Sequence, residues 1–232
     1  MSSGYGVLAH RGREVKRMMN ASSSTIPPYT AHPAANHAIP KLRVVHVEKF
    51  YNEPVKADTI YLGPGHGFGS GRHPTTTMCL EVIESLLSNY TPERVLDAGT
   101  GNGILAIAAV RLGAGHVLGV EKIREDVETA RCNLRLNLVQ SKVYILHGDV
   151  CNLHGTYDLV IANLCPDQIT LLAKVLEERL SEGGYFVLSG LRGFEKDRVL
   201  RLLTVQRGLI LVEDLWDQAW STLLMRKAGR KR

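Results

Sequence analysis

The stretch VLDAGTGNG, from Val95 to Gly103, decides the fold of this 232-residue chain. A short apolar strand ends at Asp97, and Gly99 and Gly101 then lead into the apolar run GILAIAAVRLG. Glycines allow the backbone to approach a ligand closely, and a helix N-terminus offers unpaired N–H groups and a positive dipole end. A strand, a glycine loop and a helix in this order predict a Rossmann-like α/β unit that binds a nucleotide-like cofactor.

Strand and helix patterns alternate after this unit. HVLGVE, KVYIL, YDLVIAN and GYFVLSG have the composition of buried strands, which favours a parallel sheet covered by helices on both faces. LILVEDLW and AWSTLLM, on either side of a turn at Asp217 and Gln218, predict a C-terminal antiparallel hairpin. The helix after HVLGVE is expected to bury one face, formed by Ile123, Val127, Ala130, Leu134 and Leu138.

Three acids follow consecutive strands and indicate which cofactor binds. Glu121 closes the strand after the glycine loop and is suited to accept hydrogen bonds from both hydroxyls of a ribose. Asp97 places a negative charge where it would repel a pyrophosphate and attract the cationic amine of S-adenosylmethionine. Asp149, just past the third strand, is suited to accept from the adenine amino group. This order of acids favours S-adenosylmethionine.

A dinucleotide cofactor also satisfies part of the pattern. Gly101, Gly103 and Ala106 match the GxGxxA fingerprint, and Glu121 lies 20 residues beyond Gly101. A nicotinamide-dependent dehydrogenase therefore stays open at this point. The terminal hairpin argues against it, because it does not resemble a second mononucleotide-binding half.

Asn163 ends the strand YDLVIAN and is the first candidate for the catalytic centre. Ligands of open parallel sheets bind outside the carboxyl ends of the strands, so the Asn163 amide is expected to orient an attacking nitrogen. A cap for the following helix is the alternative role. Cys165, two residues later, is expected to be a small packed residue.

A glycine-rich loop, GPGHGFGSGRHPTT, precedes the glycine motif. Its glycines fall at every second position, whereas a Walker phosphate loop needs two glycines five apart followed by Lys. The helix that begins within HPTT has an apolar stripe, so the loop is expected to end at a helix N-terminus beside the cofactor. The residues presented there, beside the cofactor, are His73, Thr75 and Thr76, and His73 is suited either to cap the helix or to act near the substrate.

Composition narrows the class of protein. The four cysteines show no metal-ligand or disulfide spacing, so we predict neither a metal nor a disulfide. No apolar run is long enough to span a membrane. The net charge of +5 comes from the two ends of the chain, because the 17 Lys and Arg of residues 44–225 face 22 Asp and Glu. Nucleic-acid contact is therefore not required, and a cytoplasmic protein is expected.

The segments PGHGFGSGRHPTTTMCL, VLDAGTGNGILAIAAVRLGA, GVE, IANL and GGYFVLSGL together resemble the PrmA family, the methyltransferases of ribosomal protein L11. The resemblance implies a class I methyltransferase fold with a seven-stranded sheet and S-adenosylmethionine as the methyl donor. It also implies that the acceptors are lysine or N-terminal amines of a protein, which in this family is a ribosomal protein. Glu121 stands where the family usually has Asp. The resemblance places these residues around the donor: Thr75, Thr76, Asp97, Gly99, Gly101, Glu121, Asp149 and Asn163.

The domain prediction follows from these patterns. Residues 1–40 are expected to be a disordered basic leader, with an organellar transit peptide as the minority alternative. Residues 41–226 form the methyltransferase domain and residues 227–232 a basic tail. A small-molecule methyltransferase, the dehydrogenase and a non-catalytic binding subunit are the rival functions.

Overall fold

The computed structural model describes residues 42–48, 55–65 and 70–229. The predicted leader and residues 230–232 of the predicted tail lie outside them. The strands are β1 (Arg43–His46), β2 (Thr59–Leu62), β3 (Arg94–Ala98), β4 (His116–Glu121), β5 (Val143–His147), β6 (Tyr157–Asn163), β7 (Leu180–Leu191), β8 (Leu209–Asp217) and β9 (Trp220–Lys227). The α-helices are α1 (Pro74–Leu87), α2 (Ile104–Arg111), α3 (Arg124–Leu136), α4 (Pro166–Glu178) and α5 (Gly193–Arg201).

Seven strands form the main sheet, in the order β5-β4-β3-β6-β7-β9-β8. All pairs are parallel except those of β9, which runs antiparallel to both β7 and β8. The predicted mostly parallel seven-stranded sheet with a C-terminal antiparallel hairpin is therefore confirmed. The strand order reverses between β3 and β6, and this switch point leaves a crevice at the carboxyl edge of the sheet, where parallel α/β sheets bind ligands.

Two elements have no clear sequence signal. The first is β2, which pairs with β1 in a separate two-stranded parallel sheet. Asn137 holds β2 through Tyr61, since its Oδ1 accepts from the Tyr61 N–H at 2.9 Å and its Nδ2 donates to the Tyr61 carbonyl at 2.6 Å. A strand of four residues carries too little periodicity to be predicted. Helix α5 buries only Val199, so its apolar stripe is equally weak.

Helices α1, α2 and α3 cover one face of the sheet, and α4 and α5 cover the other. The predicted face of α3 is wrong at its two ends. Val127, Ala130 and Leu134 are buried, but Ile123 and Leu138 lie outside the helix and are 54% and 67% exposed. The helical period does not continue into the flanking turns, so the two outer residues are directed into solvent. Within residues 42–48, 55–65 and 70–229, none of the helices has the length and apolar composition of a membrane span.

Candidate active site

A cavity of about 650 Å³ opens at the carboxyl edge of the main sheet, within the size range of small-molecule sites. It gathers residues that are far apart in the sequence. Among those predicted, the lining residues are His73, Thr75, Thr76, Gly99, Gly101, Glu121 and Asn163. The other two predicted ligands, Asp97 and Asp149, are not part of the lining. The structure thus brings most of the predicted site together and places two acids beside it.

The glycine loop forms the floor of the cavity. Gly99 has a φ of +72°, which favours glycine, and a Cβ atom there would lie 2.3 Å from Cδ2 of Leu164. The Gly99 and Thr100 N–H groups donate to the Val120 carbonyl at 2.9 and 3.1 Å, which fixes the loop to β4. The loop is therefore a fixed cradle that has no room for a side chain at Gly99, as a closely held ligand requires.

Glu121 ends β4 at one side of the cavity. Its Oε2 accepts from the Gly101 N–H at 3.1 Å, and its Oε1 accepts from the N–H groups of Lys122 and Ile123 at 2.7 and 3.0 Å. A carboxylate has about four acceptor positions, so Oε2 keeps one for a ligand. These backbone donors fix the orientation of the side chain before any ligand arrives.

Asp97 lies beneath the glycine loop instead of facing the cavity. The side chain is buried, and Oδ2 accepts from Thr100 Oγ1 at 2.7 Å. Burial raises the pKa of Asp97 to about 7, against the opposing effects of the Thr100 hydroxyl and the Ala106 N–H, while the Glu121 charge raises it further. These contacts give the carboxyl a role in holding the loop, and its predicted contact with the donor amine stays a prediction.

The raised pKa of Asp97 predicts a pH-dependent stability. Because the folded-state pKa lies above the ordinary value for Asp, the folded state retains a proton that the unfolded chain has lost, and stability falls as the pH rises from about 4 towards 7. Asp97→Asn removes this titration. In denaturant titrations, the free energy of unfolding of the variant should therefore rise relative to wild type by about 1 kcal/mol per pH unit in that window. A difference that stays constant with pH would contradict the buried, protonated carboxyl.

Asp149 stands between two lining residues, Gly148 and Val150, but its carboxylate binds elsewhere. Oδ2 forms an ion pair with Lys122 Nζ at 2.9 Å, and Oδ1 accepts from the Cys151 N–H at 2.9 Å. The hydrogen bond from Lys122 lowers the pKa of Asp149. The predicted contact with an adenine amino group stays a prediction.

The opposite side of the cavity carries the candidate catalytic residues. Asn163 Nδ2 donates to Thr76 Oγ1 at 3.5 Å, which directs the amide across the crevice between β6 and α1. His73 caps α1, since its Nδ1 accepts from the Thr75 N–H at 3.4 Å and contacts Thr75 Oγ1 at 2.8 Å. Both predicted roles of His73 are thus compatible with its position, because the same ring also lines the cavity.

Sequence reasoning missed three features of this side. Trp220 lines the cavity, with the His73 ring edge-on at 5.1 Å between centroids and the Arg192 guanidinium 3.7 Å above it. Leu164 covers the Gly99 cradle. Cys165, expected to be packed, is instead exposed at the N-cap of α4. No local pattern marks Trp220, because only the antiparallel register of β9 brings it to the site.

Asn133 connects the two glycine-rich segments and was also missed. The side chain is 1% exposed, its Nδ2 donates to the Asn102 carbonyl at 2.9 Å, and its Oδ1 accepts from the Gly63 N–H at 2.9 Å. One buried amide thus ties the start of the GPGHGFGSGRHPTT loop to the cofactor loop. Residues 66–69 of that loop lie outside the described residues. The sequence signal available was a polar residue at an interior position of an amphipathic helix.

Comparisons with a family model and with curated proteins identify the same family for this chain. Residues 38–228 match the model of the family described as Ribosomal protein L11 methyltransferase (PrmA). The ribosomal protein L11 methyltransferase of Pelobacter propionicus is 39% identical over 194 residues, which are 81% of this chain and 62% of that protein. The one from Geobacter sulfurreducens is 39% identical over 182 residues, 78% of this chain and 58% of that protein. The chain thus spans about three fifths of the length of these curated relatives.

Solved structures agree on the fold. The crystal structure of the ribosomal protein L11 methylase from Lactobacillus delbrueckii subsp. bulgaricus is 26% identical, with a TM-score of 0.67 over 80% of this chain and 94% of that one. The magnesium protoporphyrin IX methyltransferase of Synechocystis, solved with bound S-adenosylmethionine, is 18% identical, with a TM-score of 0.53 over 69% of this chain and 88% of that one. The second likeness supports the class I methyltransferase fold alone.

Proposed function

Because the chain belongs to the ribosomal protein L11 methyltransferase (PrmA) family, we propose that it transfers a methyl group from S-adenosylmethionine to a protein amine, a lysine side chain or an N-terminus. One observation carries the proposal: a single cavity has the glycine cradle and Glu121 on one side and Asn163 on the other. The relatives are named for ribosomal protein L11, which makes that protein the first acceptor to test. We keep the cytoplasm as the predicted compartment.

The residues on the cradle side fit the donor. The Gly99 floor admits a closely held ligand, and Glu121 keeps an acceptor position for a ribose hydroxyl. No phosphate group has to be accommodated beside the Glu121 carboxylate, which suits S-adenosylmethionine better than a dinucleotide. When bound, this donor supplies a methyl group on a sulfonium centre to a nitrogen nucleophile.

The residues on the other side suit an amine acceptor. With Asn163 Nδ2 donating to Thr76, the Oδ1 atom is left to accept an N–H of the acceptor and orient its nitrogen. Leu164, Leu171 and Trp220 line this end and lower its polarity. An apolar surrounding disfavours the charged form of an amine and lowers its pKa, so the acceptor is held in its neutral, reactive form.

Asn163→Ala should act on turnover and leave donor affinity intact. Loss of the Oδ1 acceptor removes one orienting hydrogen bond, so we expect kcat to fall about tenfold, with the dissociation constant of the donor unchanged within about twofold. Gln168→Ala is the matched control, since Gln168 is a second amide that lines the same cavity. Steady-state kinetics with calorimetry of donor binding separate the two effects. An unchanged kcat in Asn163→Ala would remove Asn163 from the reacting centre.

The donor assignment is tested by calorimetry with S-adenosylmethionine, its demethylated product and NAD. The proposal expects binding of the first two and none of NAD. Incubating a cell lysate with the protein and labelled donor, followed by mass spectrometry, then identifies the acceptor class. Label on a small metabolite in place of a protein amine would favour a small-molecule methyltransferase.

A further inference from the structure

Three large apolar side chains stand exposed on the side of the sheet that α4 and α5 cover, and one of them, Leu171, lines the cavity. Leu171 in α4, Phe194 in α5 and Trp216 in β8 are 78%, 75% and 69% exposed. We call these three residues the apolar rim. Exposed apolar surface next to a functional cavity marks a binding surface more often than an isolated exposed side chain does.

Phe194 and Trp216 lie on one face of the sheet. Lys196 of α5 forms an ion pair with Asp214 of β8, which fixes the helix against the strand. Phe194 precedes Lys196 by two residues at the start of α5, and Trp216 follows Asp214 by two residues, on the same side of the strand. Both therefore lie beyond the ion pair, towards the carboxyl edge.

The apolar rim reaches the cavity at Leu171. Leu171 is itself a lining residue, although most of its side chain faces solvent. Trp220 also lines the cavity, but it pairs in register with Asp217, so the alternation of side chains along β8 places it on the opposite face of the sheet from Trp216. Arg192 stacks on Trp220 and precedes Phe194 by two residues. An acceptor whose amine enters beside Asn163 would pass over this surface.

Acidic side chains accompany the apolar rim. Asp167 lies in the first turn of α4, Glu195 in the first turn of α5, and Asp217 ends β8. Two basic side chains of this region are already engaged, since Arg192 stacks over the Trp220 ring and Lys196 is paired with Asp214. The surface thus combines apolar contact area with negative charge, which complements a segment that is both basic and apolar.

We propose that the apolar rim and its three acids form a docking surface for the acceptor polypeptide, and that this surface binds a basic, partly apolar stretch next to the methylated amine. The inference rests on the proposed function and adds the recognition of the acceptor. An amine small enough to fit the cavity would leave the rim exposed, whereas a polypeptide chain would cover it. Selection for a protein acceptor is therefore made partly outside the cavity.

The double variant Phe194→Ala/Trp216→Ala tests this proposal. Purified ribosomal protein L11 is the acceptor, and kcat, KM and the donor dissociation constant are measured. We expect KM for the protein acceptor to rise roughly tenfold, because truncating buried aromatic contacts weakens docking, with kcat and donor affinity unchanged. The control is Val205→Ala, since Val205 is 80% exposed but follows α5, away from the cavity mouth, and should leave KM unchanged.

The outcomes separate the two levels of the proposal. A wild-type KM in the double variant, or an equal rise in Val205→Ala, overturns the docking surface while leaving the proposed function in place. If the wild-type protein binds the donor but labels no protein amine, neither on ribosomal protein L11 nor in a cell lysate, the proposed function fails, and the docking surface fails with it. Weaker docking of the wild-type enzyme at higher ionic strength is expected as well, because the three acids are screened.

Discussion

We expect Gly190→Ala to lower the free energy of unfolding by about 4 kcal/mol or more, or to prevent folding. Gly190 has a φ of +93°, and a Cβ atom built there would lie 1.8 Å from the carbonyl oxygen of Leu164 and 3.0 Å from its carbonyl carbon. The obstacle is backbone, so a rotamer change does not relieve the overlap. The segment carrying Asn163 and Leu164 would have to move away from β7, and the crevice at the switch point would change shape.

Gly208→Ala is the matched control for this effect. Gly208 also has a positive φ, +70°, but nothing lies within 4 Å of the position of a Cβ atom. It should therefore cost about 1 kcal/mol, the cost of the left-handed conformation alone. If denaturant unfolding gave the same loss of unfolding free energy for both variants, the predicted overlap between a Cβ atom at position 190 and the Leu164 backbone would be wrong.

The second large effect is expected at Glu121. Glu121→Gln removes a charged acceptor at the cradle, so the donor should bind about ten- to a hundredfold more weakly, which corresponds to roughly 1.5 to 3 kcal/mol. Glu121→Asp keeps the carboxylate, and the family resemblance suggests Asp as the usual residue here. We therefore expect Glu121→Asp to retain most of the affinity.

Calorimetry of S-adenosylmethionine binding compares these two variants. Glu128→Gln serves as the surface control, because Glu128 is paired with Arg131 on the exposed face of α3. Unchanged donor affinity in Glu121→Gln would mean that this carboxylate only fixes the backbone of Gly101, Lys122 and Ile123. A stability measurement on the same variant detects that structural role separately.

Part of this site could be predicted because its signals are local. The glycine loop follows a buried strand directly, Glu121 and Asn163 each end one, and parallel strands bring their carboxyl ends to one edge. A pattern of strands and helices is therefore enough to place them together. His73, Thr75 and Thr76 are placed by the same reasoning, since they stand at the start of a helix that follows a glycine loop.

The remainder depends on tertiary contacts that no short pattern encodes. The sequence locates Asp97 near the end of a strand, but it does not show that the side chain is directed to the Thr100 hydroxyl. Tertiary packing determines that orientation. Trp220 reaches the cavity only through the register of β9 beside β7 and β8. Asn133 acts through two backbone partners that lie 70 and 31 residues away in the sequence.

The most direct test of the proposed function is methyl transfer to purified ribosomal protein L11. The 232-residue chain would be incubated with the acceptor and isotope-labelled S-adenosylmethionine, and the site of the label would be mapped by mass spectrometry of acceptor peptides. We predict label on lysine or N-terminal nitrogen, slowed about tenfold by Asn163→Ala. Tight binding of the labelled donor with no label on any amine of the acceptor would contradict the account.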